Sequence, residues 1–239
     1  MVRARLAVLI VFLLVAAPAG ATARASSGHP AGAATAASQA TSLVKAWIGG
    51  DSSAYQIQFT LAVRLKGLGV SKVVPAGKSV SGLARPDFYN WPVHLKSALA
   101  GLHPQAVVFM VGMNDGQGMT AAGKTLSFGT AAWKKEYTKR VKTMMDTMRS
   151  AGVTRVYWIG MPIMRSAAFG RKMAVLNAIF RSQAGAHPGV TYVDAWKLFA
   201  SSTGAYVGTW RNADGMHFNM AGVNRLVGAV VPLVRRDWF

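Results

Sequence analysis

The sequence predicts an α/β fold, a three-layer α/β/α sandwich with a five-stranded parallel sheet. Short apolar runs alternate along the chain with longer segments whose apolar residues recur at helical spacing. Helices of this length between short strands imply right-handed βαβ crossovers, which cover both faces of a parallel sheet. The chain has 239 residues, of which 51% are hydrophobic, so it can bury one substantial core.

The predicted strands are short, largely apolar runs that end near glycine, proline or polar residues; they span residues 44–48, 70–74, 106–111, 153–159 and 190–193. The clearest is 106–111, which is apolar throughout and is followed by Gly112. Such a run is typical of a strand that is buried on both faces.

The predicted helices cover residues 55–65, 93–102 and 220–234, a long helix includes 133–148, and residues 173–180 lie within the fourth helix. The third shows the periodicity best, because Trp133, Tyr137, Val141 and Met148 fall on one face while lysines lie on the other. Ligands of parallel sheets bind beyond the carboxyl ends of the strands, so the residues that follow each strand are the candidates for function.

The first 23 residues have the pattern of a secretory signal peptide. Arg3 and Arg5 precede an apolar run over residues 6–17, and residues 21–23 read Ala-Thr-Ala, a pattern that signal peptidase cleaves. The run is shorter than an ordinary membrane-spanning helix. The alternative is an uncleaved N-terminal anchor, and both interpretations predict a domain that works outside the cytoplasm, secreted or in the cell envelope.

The rest of the chain divides into a linker and one domain. Residues 24–41 consist mostly of Ala, Ser, Gly and Thr, which predicts a flexible linker. Residues 42–239 then form the folded domain. We expect no integral membrane segment once the signal has been cleaved.

Basic residues far outnumber acidic ones. The formal net charge is +19, and loss of Arg3 and Arg5 with the signal would leave +17. Such a field attracts anionic partners, which outside the cytoplasm are wall polymers, acidic glycans and lipid headgroups. We expect no nucleic-acid partner, because the sequence carries no recognised motif for one. The alternative is a charge that only keeps the surface soluble.

The amino-acid composition excludes every function that depends on a thiol. The sequence has no cysteine, which excludes a disulfide framework, a thiolate metal site and a cysteine nucleophile. Its five histidines are too scattered to indicate a zinc site.

A first polar cluster, Gly50-Asp51-Ser52, follows the first strand. A serine at this place lies at the start of a helix, where free N–H groups favour negative charge. Its hydroxyl needs an adjacent base to act as a nucleophile. The alternative is that Ser52 or Ser53 caps the helix.

A second cluster, residues 112–115 with the sequence Gly-Met-Asn-Asp, follows the third strand. The amide of Asn114 can donate a hydrogen bond to an oxyanion at the edge of the sheet. The alternative is a simple turn, for which the Asn-Asp-Gly sequence is well suited.

The third cluster, residues 214–217, precedes the last helix. Asp214 stands three residues before His217, so its carboxylate can orient the imidazole and leave the other ring nitrogen to accept a proton from a serine. Of the five histidines, only His217 has an acidic residue three positions before it, and both lie in a predicted loop between a strand and a helix.

Taken together and in this order, the three clusters resemble the SGNH/GDSL hydrolase superfamily over essentially the whole predicted domain. The Gly-Asp-Ser, Gly-x-Asn-Asp and Asp-x-x-His blocks are all present, with Ser53 where the family usually has leucine. Residues 84–91 and 114–117 are similar to an exported bacterial subgroup of unknown function. No substrate follows from that closer resemblance.

The resemblance implies a flavodoxin-like arrangement of the sheet and a role for each motif. Ser52, His217 and Asp214 would form the catalytic triad. The oxyanion hole would consist of the Ser52 and Gly82 N–H groups and the Asn114 side chain, with Gly77 as the alternative to Gly82. Arg85 and Gln117 are candidate substrate contacts, or else a surface salt link and a loop anchor. The family mechanism needs no metal and no organic cofactor.

The predicted function is that of a serine esterase acting on acyl esters, O-acetyl esters in the first place, of an extracytoplasmic carbohydrate or lipid. One alternative is an O-acyltransferase acting on a cell-wall polysaccharide, since both reactions pass through an acyl-enzyme. The other is a non-catalytic basic module that binds anionic cell-wall polymers.

Overall fold

The computed structural model describes residues 42–239 and contains one five-stranded parallel sheet and one separate hairpin. The strands are β1 (Lys45–Gly50), β2 (Lys72–Gly77), β3 (Ala106–Met110), β4 (Met119–Ala121), β5 (Lys124–Leu126), β6 (Arg155–Ile159) and β7 (Val190–Val193). In the parallel sheet the order is β2-β1-β3-β6-β7, and β4 pairs with β5 in the antiparallel hairpin. This order is the flavodoxin-like one, with its switch point between β1 and β3.

The helices form two layers, one on each face of the sheet. They are α1 (Ser52–Gly67), α2 (Trp91–Leu102), α3 (Ala131–Ser150), α4 (Ala167–Gly185), the short α5 (Ala195–Phe199) and α6 (Met220–Trp238). Helix α1 packs against α6, whereas α2 contacts α3 and α3 contacts α4. The predicted three-layer α/β/α fold class is therefore confirmed.

The core lies between the sheet and these helices. All five residues of β3 are buried, as expected for a central strand with helices on both faces. The predicted apolar face of α3 is buried as well, through Trp133, Tyr137, Val141, Met144, Met145 and Met148. The lysines of that helix remain exposed, which is the amphipathic pattern that the sequence predicted.

The structure adds elements that the sequence did not predict. The β4–β5 hairpin and α5 were not predicted, and α1, α3 and α4 are longer than their apolar periodicity indicated. The predicted signal peptide (1–23) and linker (24–41) lie outside the described residues. Over residues 42–239, no helix combines the length and apolar character needed to cross a membrane.

Candidate active site

Ser52 is the first residue of α1, directly beyond the carboxyl end of β1. Gly50 makes the turn between them with a φ of +132°, and a Cβ at this position would collide with the Met110 carbonyl oxygen. The residue that caps α1 is Asp51, whose Oδ1 accepts the Ser53 N–H at 2.9 Å. Ser52 is therefore not the cap, and its hydroxyl is free to make another contact.

That contact is with His217. The Ser52 hydroxyl lies 3.0 Å from His217 Nε2, and His217 Nδ1 lies 2.7 Å from Asp214 Oδ2. The serine and the histidine are 165 residues apart in the sequence and meet at the carboxyl edge of the sheet. The fold thus joins the first and third polar clusters into one chain of hydrogen bonds.

The loop that carries Asp214 holds its carboxylate in the ionised form. Burial alone would raise the pKa of Asp214, but hydrogen bonds from the Met216 N–H and from the side chain and N–H of His217 outweigh this and lower the pKa below its ordinary value. An ionised carboxylate only accepts hydrogen bonds, so Nδ1 of His217 must carry the proton. Nε2 then presents its lone pair to the Ser52 hydroxyl.

Asn114 lies at the same edge, after β3. Its Nδ2 donates to the Ser81 carbonyl oxygen at 2.9 Å, which leaves the second hydrogen of the amide for another acceptor. This contact brings the second cluster against the residue that precedes Gly82. Among the described residues, no hydrogen-bond partner is found for the N–H groups of Ser52 and Gly82.

The alternative glycine, Gly77, is arranged differently. Its N–H donates to Gln58 Oε1 at 2.8 Å, and a Cβ at this position would collide with the backbone of Tyr55. The N–H of Gly77 is therefore already used within the fold. Gly82 is the better candidate for an oxyanion donor.

Asp51 fixes the second cluster as well as capping α1. Its Oδ2 accepts the N–H groups of Gly112 at 2.8 Å and Met113 at 2.7 Å. The residue is fully buried, and this burial raises the pKa of its carboxyl group to about 6 against the lowering effect of these hydrogen bonds. One carboxylate thus ties the start of the Ser52 helix to the loop that carries Asn114.

Asp115 likewise ties the second cluster to another part of the chain, the loop that follows Gly82. Its two oxygens accept the N–H groups of Leu83 at 3.0 Å and Ala84 at 2.7 Å, and the Tyr137 hydroxyl donates to it at 2.7 Å. Burial raises the pKa of Asp115, and the hydroxyl and the two N–H donors lower it in part. Substituting Gly82 would be difficult here, because a Cβ would collide with the Asp115 carboxylate.

The two candidate substrate contacts have different surroundings. The Arg85 guanidinium pairs with Asp87 at 2.7 Å, both side chains being at least half exposed, and no contact with the triad is present. Arg85 does line a cavity of about 600 Å³ with residues of the β4–β5 hairpin. Gln117 donates from its Nε2 to the Asn114 carbonyl oxygen and so lies beside the candidate oxyanion donor.

Two residues at the site had not been predicted from the sequence. Gln56, on the first turns of α1, binds the backbone of the residue that follows His217. Arg211 is buried against the rings of Phe199 and Phe218, which stack on each other, and its guanidinium carbon lies 4.4 and 4.6 Å from their centroids. No sequence motif marks either residue, because both act through contacts that only the folded chain creates.

Within residues 42–239, His, Asp and Glu side chains form no group of three or more that could hold a metal ion. The site is instead built from one hydroxyl, one imidazole, one ionised carboxylate, an amide and free N–H groups. Such a set can move a proton and stabilise a developing oxyanion.

Comparison with known proteins gives one family and a set of similar folds. Residues 45–233 match the family described as "Protein of unknown function (DUF459)". No curated protein matches the sequence. An alpha/beta hydrolase enzyme from the metagenome of Lake Arreo, Spain, is similar in structure with a TM-score of 0.62 and 18% identity, over 80% of this chain and 94% of that one.

A catalytic mutant of an acetylxylan esterase from Geobacillus stearothermophilus is also similar. Its TM-score is 0.60 at 15% identity, over 83% of this chain and 95% of that one. Together with the family match, these structures confirm the predicted resemblance to a subgroup of unknown function with an SGNH-type fold. At these identities the structural similarity concerns the fold.

Proposed function

This chain belongs to the DUF459 family of proteins of unknown function, and we propose that it is a serine esterase whose catalytic triad is Ser52, His217 and Asp214. The observation that carries this proposal is the unbroken chain of hydrogen bonds from Asp214 Oδ2 through the imidazole to the Ser52 hydroxyl. A serine hydroxyl becomes a useful nucleophile when a base of fixed orientation lies within hydrogen-bond reach. The site meets that requirement.

In the first half of the reaction, His217 Nε2 takes the proton of Ser52 as Oγ attacks the ester carbonyl carbon. The negative charge that develops on the carbonyl oxygen is stabilised by the N–H groups of Ser52 and Gly82 and by Asn114 Nδ2. His217 then gives its proton to the departing alcohol oxygen, and the acyl group remains on Ser52. Asp214 stabilises the imidazolium during these steps.

In the second half, water attacks the acyl-enzyme. His217 takes a proton from the water, the oxyanion forms in the same hole, and the carboxylic acid leaves as Ser52 regains its proton. A sugar hydroxyl in place of water would make the same intermediate a donor for acyl transfer. Hydrolysis and transfer therefore share every residue named here and differ in the acceptor.

For the substrate we propose acyl esters, O-acetyl esters in the first place, of an extracytoplasmic carbohydrate or lipid. The signal-type pattern of residues 1–23 and the formal charge of +19 support an anionic polymer outside the cytoplasm. Gln117 is proposed as a substrate contact because of its place beside Asn114. N-terminal sequencing of the exported protein tests the location, with cleavage after Ala23 as the expected result.

Hydrolysis of p-nitrophenyl acetate tests the catalytic proposal, because this activated ester demands little of a substrate pocket. The wild-type protein should release nitrophenol, and Ser52→Ala should abolish the reaction. A serine-directed fluorophosphonate should label Ser52 in the wild type, and peptide mass spectrometry locates the adduct. Added sugar acceptors that gain an acetyl group would identify transfer.

Ser53→Ala is the matched control. Ser53 adjoins the nucleophile, but its hydroxyl is buried without a partner among the described residues, so its loss should leave both turnover and folding unchanged. If the well-folded wild type shows neither turnover nor labelling at Ser52, the esterase proposal fails and a non-catalytic binding module takes its place.

A further inference from the structure

A cavity of about 400 Å³ lies beyond β6, at the same edge of the sheet as Ser52. Its wall includes Arg165, Arg171, Trp196 and Tyr206, and we call it the arginine pocket. Arg165 connects it to the proposed triad, because this side chain covers Gly215, between Asp214 and His217: a Cβ on Gly215 would lie 2.6 Å from Arg165 Nε. The pocket therefore borders the loop that holds the catalytic base.

The two arginines of the pocket are exposed and have no acidic partner in the described chain. All eight acidic residues fall within residues 42–239, and each is already engaged. Asp51 and Asp115 are buried acceptors of N–H groups, and Asp214 holds His217. The other five pair with basic side chains elsewhere: Asp87, Glu136, Asp146, Asp194 and Asp237. An anion for this pocket must therefore come from another molecule.

A third arginine lies behind the pocket wall. Arg211 is buried, with only 6% of the residue exposed, and its Nη2 donates to the carbonyl oxygen of Ile163, which lines the pocket. Its Nε and Nη1 are buried without a partner among the described residues. Because no carboxylate pairs with it, its charge adds to the positive potential of the cavity.

The remaining wall suits a sugar ring. Trp196 and Tyr206 are half-buried, so each presents part of an aromatic surface to the cavity. A guanidinium presents two parallel N–H donors, which matches the two oxygens of a carboxylate or a phosphate. The wall beside the two arginines is largely apolar, so the arginine pocket fits a sugar ring against this surface, with the charged group of the sugar held by the exposed guanidinium groups.

We propose that the arginine pocket binds a carboxylate or phosphate group carried by the sugar polymer whose ester reaches Ser52. The ester at Ser52 rests on the proposed function, whereas binding of the anion can be measured without any turnover. The pocket would select acidic repeats and hold them next to the catalytic loop.

The test measures binding to the full-length Ser52→Ala protein, which cannot consume an ester. The probes are an oligogalacturonate, which carries carboxylates, a phosphomannan, which carries phosphates on sugar units, and a neutral xylo-oligosaccharide. Calorimetry near physiological salt should show binding to at least one anionic probe and not to the neutral one. The probe that binds identifies the anion.

The decisive variant is Arg165→Gln with Arg171→Gln, which should weaken that binding about tenfold or more. Arg64→Gln with Arg235→Gln is the matched control, since these two exposed arginines line a different cavity between α1 and α6 and the loss of charge is the same. The control should change affinity less than about twofold. Equal losses in both variants, or no binding of either anionic probe, would overturn the proposal.

The proposal and the function on which it rests can fail separately. In one outcome the wild type hydrolyses p-nitrophenyl acetate, while Arg165→Gln with Arg171→Gln leaves the affinity of the Ser52→Ala protein for the anion unchanged. In that case the arginine pocket is wrong and the esterase stands. If binding depends on Arg165 and Arg171 but no ester is cleaved, the pocket is confirmed and the esterase is wrong.

Discussion

Gln56 exchanges two hydrogen bonds with the backbone of Phe218: its Nε2 donates to the carbonyl oxygen at 2.9 Å, and its Oε1 accepts the N–H at 3.0 Å. Gln56 lies one helical turn after Ser52, and Phe218 directly follows His217. The amide therefore links the helix of the proposed nucleophile to the loop of the proposed base. We infer that this link helps to set the distance between Ser52 and His217.

We expect Gln56→Leu to lower kcat for p-nitrophenyl acetate by roughly 10–100-fold with little change in KM, because a small displacement of catalytic groups is costly. Steady-state kinetics measures both constants. Gln58→Leu is the control, since Gln58 lies on the same helix but binds Gly77. That variant should reduce thermal stability and leave kcat almost unchanged, and equal kinetic losses in both would contradict a positioning role for Gln56.

Asn114→Ala should lower turnover by roughly 10²–10³-fold with the fold intact, because an oxyanion donor acts mainly in the transition state. The amide also holds the Ser81 carbonyl oxygen, so thermal unfolding must be measured alongside the rate. A large loss of stability with little loss of rate would instead favour the turn interpretation of this cluster. Asn114→Asp, with the same shape but a repelling negative charge, should be at least as inactive.

The position of the three polar clusters could be predicted from the sequence because parallel strands all end at one edge of the sheet. Ser52, Asn114 and His217 each follow such an end or precede the last helix, so their meeting follows from topology. Gln56 could not be predicted in this way. Its partner is a main-chain group 162 residues away, and a main-chain group leaves no trace in the sequence.

The missed elements have a similar physical explanation. Strands β4 and β5 have three residues each, too few to show a periodicity of two, and α5 has five, barely more than one turn. The choice between Gly82 and Gly77 also depended on a tertiary contact, the hydrogen bond from Gly77 to Gln58. The arginine pocket draws on α4, α5 and two loops, which no local pattern connects.

Asp51 is expected to make the protein less stable as the pH rises from about 4 to about 6. Burial raises the pKa of this carboxyl group to about 6, above the ordinary value of about 3.9. Between these values the native state binds more protons than the unfolded chain, so the free energy of unfolding falls with rising pH. The slope from this group is at most about 1.4 kcal/mol per pH unit, and denaturant unfolding across the window measures it.

Asp51→Asn isolates this contribution. One oxygen of Asp51 accepts the Ser53 N–H and the other accepts Gly112 and Met113, so the NH₂ group of an asparagine must face at least one N–H donor. The variant should be less stable by about 1–3 kcal/mol and should lack the part of the slope that Asp51 supplies. An identical pH dependence in both proteins would show that Asp51 does not titrate in this range.

Asp214→Asn should be more damaging than Asp214→Ala, because it forces His217 into the wrong tautomer. Asp214 Oδ1 accepts the N–H groups of Met216 at 2.8 Å and His217 at 2.9 Å, so the carbonyl oxygen of an asparagine would take that place. Its NH₂ group would then face Nδ1, and the imidazole proton would move to Nε2. A protonated Nε2 cannot accept the proton of Ser52, so kcat should fall by roughly 10⁴-fold.

In Asp214→Ala the imidazole is free to adopt either tautomer, so part of the protein keeps a basic Nε2 and the loss should be smaller. Steady-state kcat for p-nitrophenyl acetate, compared between the two variants at a pH where the wild-type Asp214 is ionised because of its lowered pKa, measures this difference. In Asp214→Asn the activity should stay low, since the neutral imidazole is held in the unproductive tautomer. Equal activity of the two variants would mean that the carboxylate does not set the tautomer of His217.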